Sequence, residues 1–442
     1  MTSLTIGLLL IGLLVALILL GLHIAVALIL VGFLGIWLIR GNIDLAFRLL
    51  DITAWNGIAD YLFATIPLFV LMGLLVSVSN VGRDTFAVAE VLLRRLLGGL
   101  GVATVAANTV FAAVTGVSIA SAAVFTRVAV PEMRRHGYRP AFAAGTVAGS
   151  SVLGMMIPPS LLLIIYGVLA EVSIGRLFVA GVIPGLMLAF GFVGIIMALA
   201  ALRPGFVFSD PAARRAAAVA APPQTMGAGE MAAKLVPIAL LVALVLGGLY
   251  SGYFSPTEAG GVGAFGALLI ALARRSLDRT RAWEVIRQTG LISVSILLLL
   301  IAAGFYSRML SVAGLPNAVA GLVRAGGFTP QTFLLAYVLL IILMGMILDS
   351  TSILLIIVPI VAPIAQGMGF DLIHFGILTV LAVEIGLLTP PFGISVFTVH
   401  NTLNDPRVGV EQVFLGTLPF ILVMLAVLAT LAAFPVLTLA LI

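Results

Sequence analysis

Two stretches of this 442-residue sequence place helix-breaking residues inside long apolar runs. They read G-M-M-I-P-P-S at 154–160 and G-L-L-T-P-P-F-G at 386–393. Paired prolines remove two backbone N–H donors and block a continuous helix. In a bilayer, backbone groups freed in this way are tolerated where they line a polar cavity. Both stretches are therefore candidate binding sites for an ion or a small polar substrate.

A cluster of oxygen ligands precedes the second stretch. Asp349 is followed directly by Ser350, Thr351 and Ser352, with apolar sequence on both sides. A carboxylate at membrane depth is costly and is by default functional. Carboxylate and hydroxyl oxygens suit hard cations, so the cluster is a candidate Na⁺ site. Alternatively, Asp349 caps the following helix, a role compatible with ion binding.

The region 101–131 is rich in Gly, Ala and Val, with small polar residues among them. These are Asn108, Thr109, Thr115, Ser118 and Ser121. Such residues serve close helix packing in membranes. The other interpretation is a re-entrant hairpin whose tip, near 115–118, offers hydroxyls and carbonyls to a hard cation.

Three isolated titratable residues have more than one interpretation. Glu384, expected to be buried just before the second stretch, is either a proton or substrate group or an ion-paired structural residue. Arg127 pairs with an anionic substrate or extends from a helix end to the membrane interface. His23 lies between two predicted spans, where a histidine is more often structural than a proton relay.

Composition places the chain in a membrane. Hydrophobic residues make up 62% of it and charged residues 9%, far from a soluble globular protein. The net charge of +5 is scattered between apolar runs and forms no basic face, so nucleic-acid binding is excluded. There is no Cys, no H-E-x-x-H and no G-x-x-x-x-G-K-[ST]. We therefore expect neither an enzyme nor an ATP-driven pump, and no cofactor other than a coupling ion.

The chain divides into two halves around a polar, Ala- and Pro-rich linker at 203–234. The first half, 1–202, is predicted to contain two spans within 4–39, an interfacial arm helix at 42–60, a hairpin at 101–131 and a broken helix around 154–160. The second half, 235–442, is predicted to contain an arm helix at 274–288, a hairpin and ion-site region at 331–363 and a broken helix around 386–393.

The halves correspond at a fixed offset. A shift of 232 residues places Pro158 on Pro390 and also Gly154 on Gly386. Most other matches in this register are again Gly and Pro, the residues that fix backbone geometry. Since many secondary transporters consist of repeats that meet at a midplane site, we expect two inverted structural repeats.

Five motifs, in order, resemble the large membrane subunit of the tripartite ATP-independent periplasmic (TRAP) transporters. They are G-S-S-V-L-G-M-M-I-P-P-S-L-L-L-I-I-Y-G at 149–167, S-I-G-R-L-F-V-A-G-V-I-P-G at 173–185, S-P-T-E-A-G-G at 255–261, D-S-T-S-I at 349–353 and G-L-L-T-P-P-F-G at 386–393. The likeness extends over about residues 5–440.

This resemblance implies an all-α polytopic membrane protein of the bacterial inner membrane, with inverted repeats and an elevator-type mechanism. It implies Na⁺-coupled uptake of an organic acid anion, a carboxylate. The implied partners are a small membrane subunit and a periplasmic substrate-binding protein. The alternative is a stand-alone Na⁺- or H⁺-coupled carboxylate carrier that works without a binding protein.

The resemblance also assigns site residues by position. The implied Na⁺-site residues are Ser118, Ser121, Gly154 and Pro158 in the first half and Asp349, Ser350, Thr351, Ser352, Gly386 and Thr389 in the second. The candidate substrate-binding residues are Arg127, Pro159, Ser160, Pro391 and Gly393. Half-helix N-termini beyond the breaks suit a carboxylate, whereas carbonyls at half-helix C-termini suit Na⁺. Arg127 departs from the neutral residue expected in many members of this family.

Overall fold

A computed structural model describes residues 2–210 and 226–442, apart from the side chain of Arg324. Within these ranges the regular structure is helical, and the one β-type pairing is an isolated antiparallel bridge between Tyr138 and Phe208. The predicted all-α class is confirmed.

The helices of the first half are short or broken as often as they are long. They are α1 (Ser3–Leu19), α2 (Ile24–Arg40), α3 (Ile43–Ala59), α4 (Thr65–Val78), α5 (Val81–Leu93), α6 (Gly99–Thr115), α7 (Ser118–Arg135), α8 (Pro140–Ser151), α9 (Leu153–Met156), α10 (Leu161–Leu169), α11 (Ile174–Leu202) and α12 (Pro204–Val207). A 3-10 turn, Tyr61–Ala64, precedes α4.

The second half follows a similar order. Its helices are α13 (Ala228–Tyr250), α14 (Pro256–Ala273), α15 (Arg279–Ala313), α16 (Leu315–Ala325), α17 (Pro330–Gly345), α18 (Ser350–Gly367), α19 (Leu372–Leu388), α20 (Ile394–Leu403), α21 (Val410–Ala433) and α22 (Val436–Leu439).

Helix length and composition make the protein polytopic. Among the described residues, seven helices are long and apolar enough to cross a membrane. The pair Pro140–Met156 and Leu161–Leu169, bent by 43° at the first Pro-Pro stretch, raises this to eight if it is one span. The stretch 4–39, predicted to contain two spans, forms the apolar helices α1 and α2, which separate at residues 20–23; each has 17 residues and is shorter than those seven.

The two predicted arm helices have different outcomes. Helix α3 occupies the position of the first arm: Asn42 caps it by accepting the Leu45 N–H at 3.1 Å, and Trp55 and Ile58 are exposed on its surface. The second arm helix, predicted at 274–288, is continuous with the helix that follows it. Residues from Arg279 onward belong to the 35-residue helix α15, because no Pro interrupts the backbone before the next apolar run.

The linker between the halves is shorter than expected. Helix α13 begins at Ala228, inside the stretch 203–234 assigned to the linker, because the residues before Lys234 continue a helical run. The segment 211–225 of that stretch lies outside the described residues.

Contacts between the halves are reciprocal. In the 232-residue register α2 and α4 correspond to α14 and α15, and α4 packs against α14 while α2 packs against α15. Likewise α7 and α10 correspond to α18 and α20, and α7 packs against α20 while α10 packs against α18. Thr65 and Thr257 share a buried hydrogen bond of 2.6 Å where α4 meets α14. Helices α7 and α18 also begin at equivalent residues, Ser118 and Ser350, in the 232-residue register. This arrangement is compatible with two related repeats.

Small residues let the hairpins and broken helices approach closely. A Cβ placed on Gly145 of α8 would lie 2.1 Å from the carbonyl carbon of Gly416 on α21. Any side chain at this crossing would therefore push the two helices apart.

Candidate functional site

The predicted hairpin at 101–131 consists of α6 and α7, joined by only Gly116 and Val117. Gly116 has a φ of +62°, which glycine adopts without strain. A Cβ on Gly116 would lie 2.6 Å from the Pro159 carbonyl oxygen. The hairpin tip therefore lies directly against the first Pro-Pro stretch.

The first break is fixed to this tip by backbone and side-chain bonds. The Leu161 N–H donates to the Gly116 carbonyl at 3.2 Å. Ser160 caps α10 by accepting the Leu163 N–H at 3.4 Å, and its hydroxyl donates to the Met155 carbonyl across the break. Gly154 packs against the tip as well, since its Cβ would lie 3.2 Å from the Val117 carbonyl carbon.

A buried polar network lies behind the tip. Ser121 donates to Asn108 Oδ1 at 2.5 Å, and Asn108 Nδ2 donates to Ser150 Oγ at 2.6 Å. All three side chains are fully enclosed, and they join α6, α7 and α8. The sequence pointed to Asn108 only as one of several small polar residues and did not single out Ser150. The available signal was a single amide, Asn108, in a run of Ala, Val and Gly.

The predicted ligands Ser118 and Ser121 are thus in different situations. The Ser121 hydroxyl hydrogen is committed to Asn108, whereas the Ser118 hydroxyl makes no hydrogen bond within the described part of the chain. A small cavity is lined by Thr115, Gly116, Pro159 and Ser160 among others, and its volume of about 10 Å³ admits one water-sized particle. It is too small for an organic acid.

The second hairpin, α17 and α18, turns at residues 346–349. Asp349 caps α18: its carboxylate accepts the Ser352 N–H at 3.1 Å and also the Ser352 hydroxyl. Asp349 is exposed and lies at the hairpin tip, where the chain reverses; its role as an Na⁺ ligand at membrane depth stays a prediction. The hydroxyls of Ser350 and Thr351 form no hydrogen bonds with other described residues.

The second break repeats the tip contact of the first. The Phe392 N–H donates to the Met346 carbonyl at 3.3 Å, which joins the segment after the break to the tip of the second hairpin. Thr389 Oγ1 donates to the Ile385 carbonyl at 2.7 Å and so satisfies the end of α19. Gly393, with φ +38°, precedes α20. Gly386 crosses α17 at Gly345, where a Cβ would lie 2.6 Å from the opposite Cα.

The two breaks differ in exposure. Both Pro-Pro bonds are cis, yet residues 151–160 are all buried, whereas Pro390, Pro391 and Phe392 are exposed, the last by 56%. One break is therefore enclosed by the chain and the other lies open on its surface.

Arg127, a predicted substrate group, lies on α7 and is exposed. Within the described residues it forms no ion pair and no hydrogen bond with either break. Its role as a substrate group stays a prediction. His23 precedes α2 without a side-chain capping bond.

Glu384 lies on α19, five residues before Thr389, and is completely enclosed. Neither carboxylate oxygen has a hydrogen-bond partner. The described residues include no ion pair for it, so the interpretation as an ion-paired structural residue is wrong.

A separate charged cluster lies where α5 meets the end of α7. Ligand atoms of Glu90, Glu132 and His136 all lie within 4.8 Å of one another. Burial, and then the neighbouring Glu132, raise the pKa of Glu90 above its usual value, while His136 and Arg94 act in the opposite direction.

Residues 11–437 match the family described as the tripartite ATP-independent periplasmic transporter, DctM component.

Two relatives are similar over most of their length. The chain is 32% identical over 395 residues to the C4-dicarboxylate TRAP transporter large permease protein DctM of Pseudomonas aeruginosa, covering 89% of each chain. It is 30% identical over 385 residues to the sialic acid TRAP transporter large permease protein SiaM of Vibrio cholerae, covering 87% of each. Among solved structures, the YdaH transporter of Alcanivorax borkumensis has a similar fold, with a TM-score of 0.61 at 15% identity over 88% of both chains.

Proposed function

Because this chain belongs to the DctM family, the large membrane subunits of TRAP transporters, we propose that it performs Na⁺-coupled uptake of an organic acid anion. In this proposal a periplasmic binding protein delivers the anion, and a small membrane subunit supports this chain in the bacterial inner membrane. The relatives are named for C4-dicarboxylates and sialic acid, both organic acids, which supports a carboxylate as the substrate.

The observation that supports the proposal best is the shared construction of the two hairpin tips and breaks. In each half, a backbone N–H after the Pro-Pro stretch bonds to a carbonyl at a hairpin tip, Leu161 to Gly116 and Phe392 to Met346. One of these sites is enclosed and the other is exposed. An elevator-type transporter needs sites of this kind, since ligands must reach the site from one side of the membrane at a time.

The half-helix N-termini suit an anion. Helix α10 begins after Ser160 and α20 after Gly393, each with amides that lack a partner in the preceding turn. The partial positive charge at such an end favours a carboxylate. The second break, with Pro391 exposed, is the more accessible of the two, although Gly393 itself is buried.

The donor set of both tips fits Na⁺. Asp349 offers a carboxylate, and Ser350 and Thr351 offer hydroxyls without internal partners. In the first half the tip offers the Ser118 hydroxyl, and a Cβ placed on Gly154 would lie 3.3 Å from both the Val117 carbonyl oxygen and the Ser118 backbone nitrogen. Oxygen ligands of this kind suit a hard cation. Substrate and ion would then support each other's binding by the same factor, because both require the same arrangement of tip and break.

The test is uptake into proteoliposomes that contain this chain and its small partner. A panel of labelled organic acids, including a C4-dicarboxylate and sialic acid, is offered with the cognate binding protein and an inward Na⁺ gradient. We expect uptake that requires both. Uptake without the binding protein would instead establish the stand-alone carrier, and no Na⁺ dependence would contradict the coupling ion.

Two variants of Asp349 separate its capping role from ion binding. Asp349→Asn retains a capping side chain but removes the charge, whereas Asp349→Ala removes both; loss of a cap costs roughly 0.5–2 kcal/mol. We expect both variants to lose Na⁺-dependent uptake and only Asp349→Ala to lose thermal stability. Asp278→Asn is the matched control, since Asp278 caps α15 by accepting the Arg281 N–H at 2.8 Å. Full Na⁺-dependent uptake by Asp349→Asn would show that Asp349 caps the helix and does not bind the ion.

A further inference from the structure

The helix that follows the second Pro-Pro stretch contains a buried serine whose hydroxyl is unused. Ser395 is the second residue of α20 and is 1% exposed, and its hydroxyl has no hydrogen-bond partner among the described residues. A buried hydroxyl that stays unpaired is costly, so such a group beside a binding region is a candidate ligand contact. Neither the proposed Na⁺ residues nor the proposed substrate residues include Ser395.

The position of Ser395 in the helix explains why its hydroxyl is free. Hydroxyls within helices commonly donate to the carbonyl one turn before, as Thr398 of the same helix does to Ile394 at 2.9 Å. For Ser395 the residue one turn before is Pro391, which lies in the break and outside the helix. Because Cα–Cβ bonds of a helix tilt towards its N-terminus, the Ser395 side chain lies on the side of its Cα that faces the break.

Backbone donors are also free at this helix end. The N–H groups of Ile394 and Ser395, the first two residues of α20, donate to no acceptor within the described part of the chain. Gly393 precedes them and has no side chain that could cap the helix. Two amides and one hydroxyl are therefore available at a helix N-terminus, the end whose partial positive charge favours an anion.

The first break does not offer the same donors. There Ser160 caps α10 by accepting the Leu163 N–H, and the Leu161 N–H donates to the tip of the first hairpin. In the 232-residue register Ser160 corresponds to Phe392, and Leu163 corresponds to Ser395. The second half thus has no serine at the capping position and has a hydroxyl where the first half has a hydrocarbon. The two helix ends differ in the groups that bind an anion.

The free helix end also lies beside the more accessible break. Pro391 and Phe392 are exposed and Ile394 is half-buried, whereas residues 151–160 of the first break are all buried. The nearby acid of the second hairpin tip, Asp349, uses its carboxylate to cap its own helix. The N-terminus of α20, unlike that of α10, is therefore bordered by exposed residues.

We propose that the carboxylate of the transported acid binds at the N-terminus of α20, with the Ser395 hydroxyl and the Ile394 and Ser395 amides as its donors. The corresponding end of α10 is already capped, so the carboxylate is placed in the second half. This inference rests on the proposed transport function, and it deepens that function by naming the groups that hold the charge of the substrate.

The first test is Ser395→Ala, which removes the hydroxyl and little volume. A hydroxyl without a partner adds no stability, so the ligand-free variant should melt at the wild-type temperature or above it. Uptake of the panel acid that the wild type transports should need about tenfold more substrate for its half-maximal rate, since one hydrogen bond to a charged group is lost. The maximal rate should change little. A purely structural hydroxyl would give the opposite pattern, with a lower melting temperature and an unchanged half-saturating concentration.

Ser293→Ala is the matched control. Ser293 is 5% exposed and likewise has a buried hydroxyl without a partner among the described residues, but it lies inside the continuous helix α15. This variant should retain the wild-type half-saturating concentration. An equal shift in both variants would contradict a specific role for Ser395.

A second measurement does not depend on transport. The sequence contains no cysteine, so Ser395→Cys introduces a unique thiol, whose reaction with methyl methanethiosulfonate can be followed by mass spectrometry. Each panel acid is added to the purified protein with Na⁺, in parallel with its amide, which has a similar shape and no charge. We expect at least one acid to slow the labelling severalfold and its amide to have no effect. Labelling of Thr398→Cys, one turn further along α20, should respond to neither.

The outcomes separate this inference from the proposed function. Wild-type uptake of an acid that does not protect the thiol would contradict the site and leave the transport function intact. Protection without uptake would support the site and contradict the transport function. Absence of both would contradict both, and a thiol that never reacts would overturn the site whatever the uptake result.

Discussion

Arg134 and Asp405 form an ion pair, with Nη1 and Oδ2 2.7 Å apart, although 271 residues separate them in the sequence. Arg134 lies at the end of α7 in the first hairpin, and Asp405 follows α20 beyond the second break. The pair therefore fastens the hairpin of one half to the broken helix of the other.

Neutralising Asp405 should weaken this connection in a pH-dependent way. Hydrogen bonds from the Arg407 backbone and then the Arg134 side chain lower the pKa of Asp405 below its usual 3.8. Its stabilising contribution is therefore present above pH 3.8 and is lost as the pH falls through the lower folded-state pKa. Asp405→Asn should have a lower melting temperature than wild type at neutral pH, and the difference should disappear in acid. Tryptophan fluorescence on heating measures this, with the exposed Asp44→Asn as control.

Replacing Asn108 should disrupt the packing of three helices. Asn108→Leu removes the amide that bonds Ser121 and Ser150 and leaves buried hydroxyls without their partner, at a cost of about 1–3 kcal/mol each. We expect a clearly lower melting temperature. Thr109→Val, at the next position, removes only a bond to the Val105 carbonyl and should change stability less. Equal effects of the two variants would show that the network contributes no special stability.

The α8–α21 crossing should not accept a methyl group. Gly145→Ala would place a Cβ 2.1 Å from the Gly416 carbonyl carbon, so the helices must separate, at a cost of about 1–3 kcal/mol or more. Gly194→Ala is the control because nothing lies within 4 Å of the added carbon. Since Ala favours a helix over Gly by about 1 kcal/mol, the control should retain or gain stability. Comparable melting temperatures for the two variants would contradict the close crossing.

The Glu90 cluster should make the protein less stable as the pH rises. Its pKa is raised above 4.5, chiefly by burial, so the favourable contribution of the protonated form is complete below 4.5 and is lost as the pH rises through the folded-state pKa. Glu90→Gln cannot ionise and should lose less stability between mildly acidic and neutral pH. Thermal unfolding at several pH values measures the difference. Parallel pH profiles for wild type and Glu90→Gln would exclude Glu90 as the cause of the loss of stability with rising pH.

The sequence predicted those parts of the fold that depend on local backbone chemistry. Glycine and proline change the backbone wherever they occur, so the hairpin turn at Gly116 and the breaks at Pro158 and Pro390 follow from residue type alone. A helix cap by Asp349 was likewise one of the two interpretations of this acid and the three hydroxyl residues that follow it.

Features that depend on distant partners were not predictable. The exposure of Asp349 depends on where the second hairpin tip lies, and the bond from Ser121 to Asn108 depends on how α6 faces α7. The missing hydrogen-bond partner of Glu384 is also a tertiary property, because it depends on which side chains the other helices bring against α19. The similar amphipathic patterns at 42–60 and 274–288 do not show that the first forms a separate helix and the second continues into a longer one.

The continuity of α15 sets the depth of the protein in the bilayer. At 1.5 Å per residue, its 35 residues extend over about 52 Å, whereas the hydrocarbon layer is about 30 Å thick. About 20 Å of helix must therefore remain outside the hydrocarbon, and its amino-terminal turns contain Arg279, Arg281 and the Glu284–Arg287 pair. Drawing these charges into lipid is costly, so α15 anchors the surrounding long helices against sliding along the membrane normal.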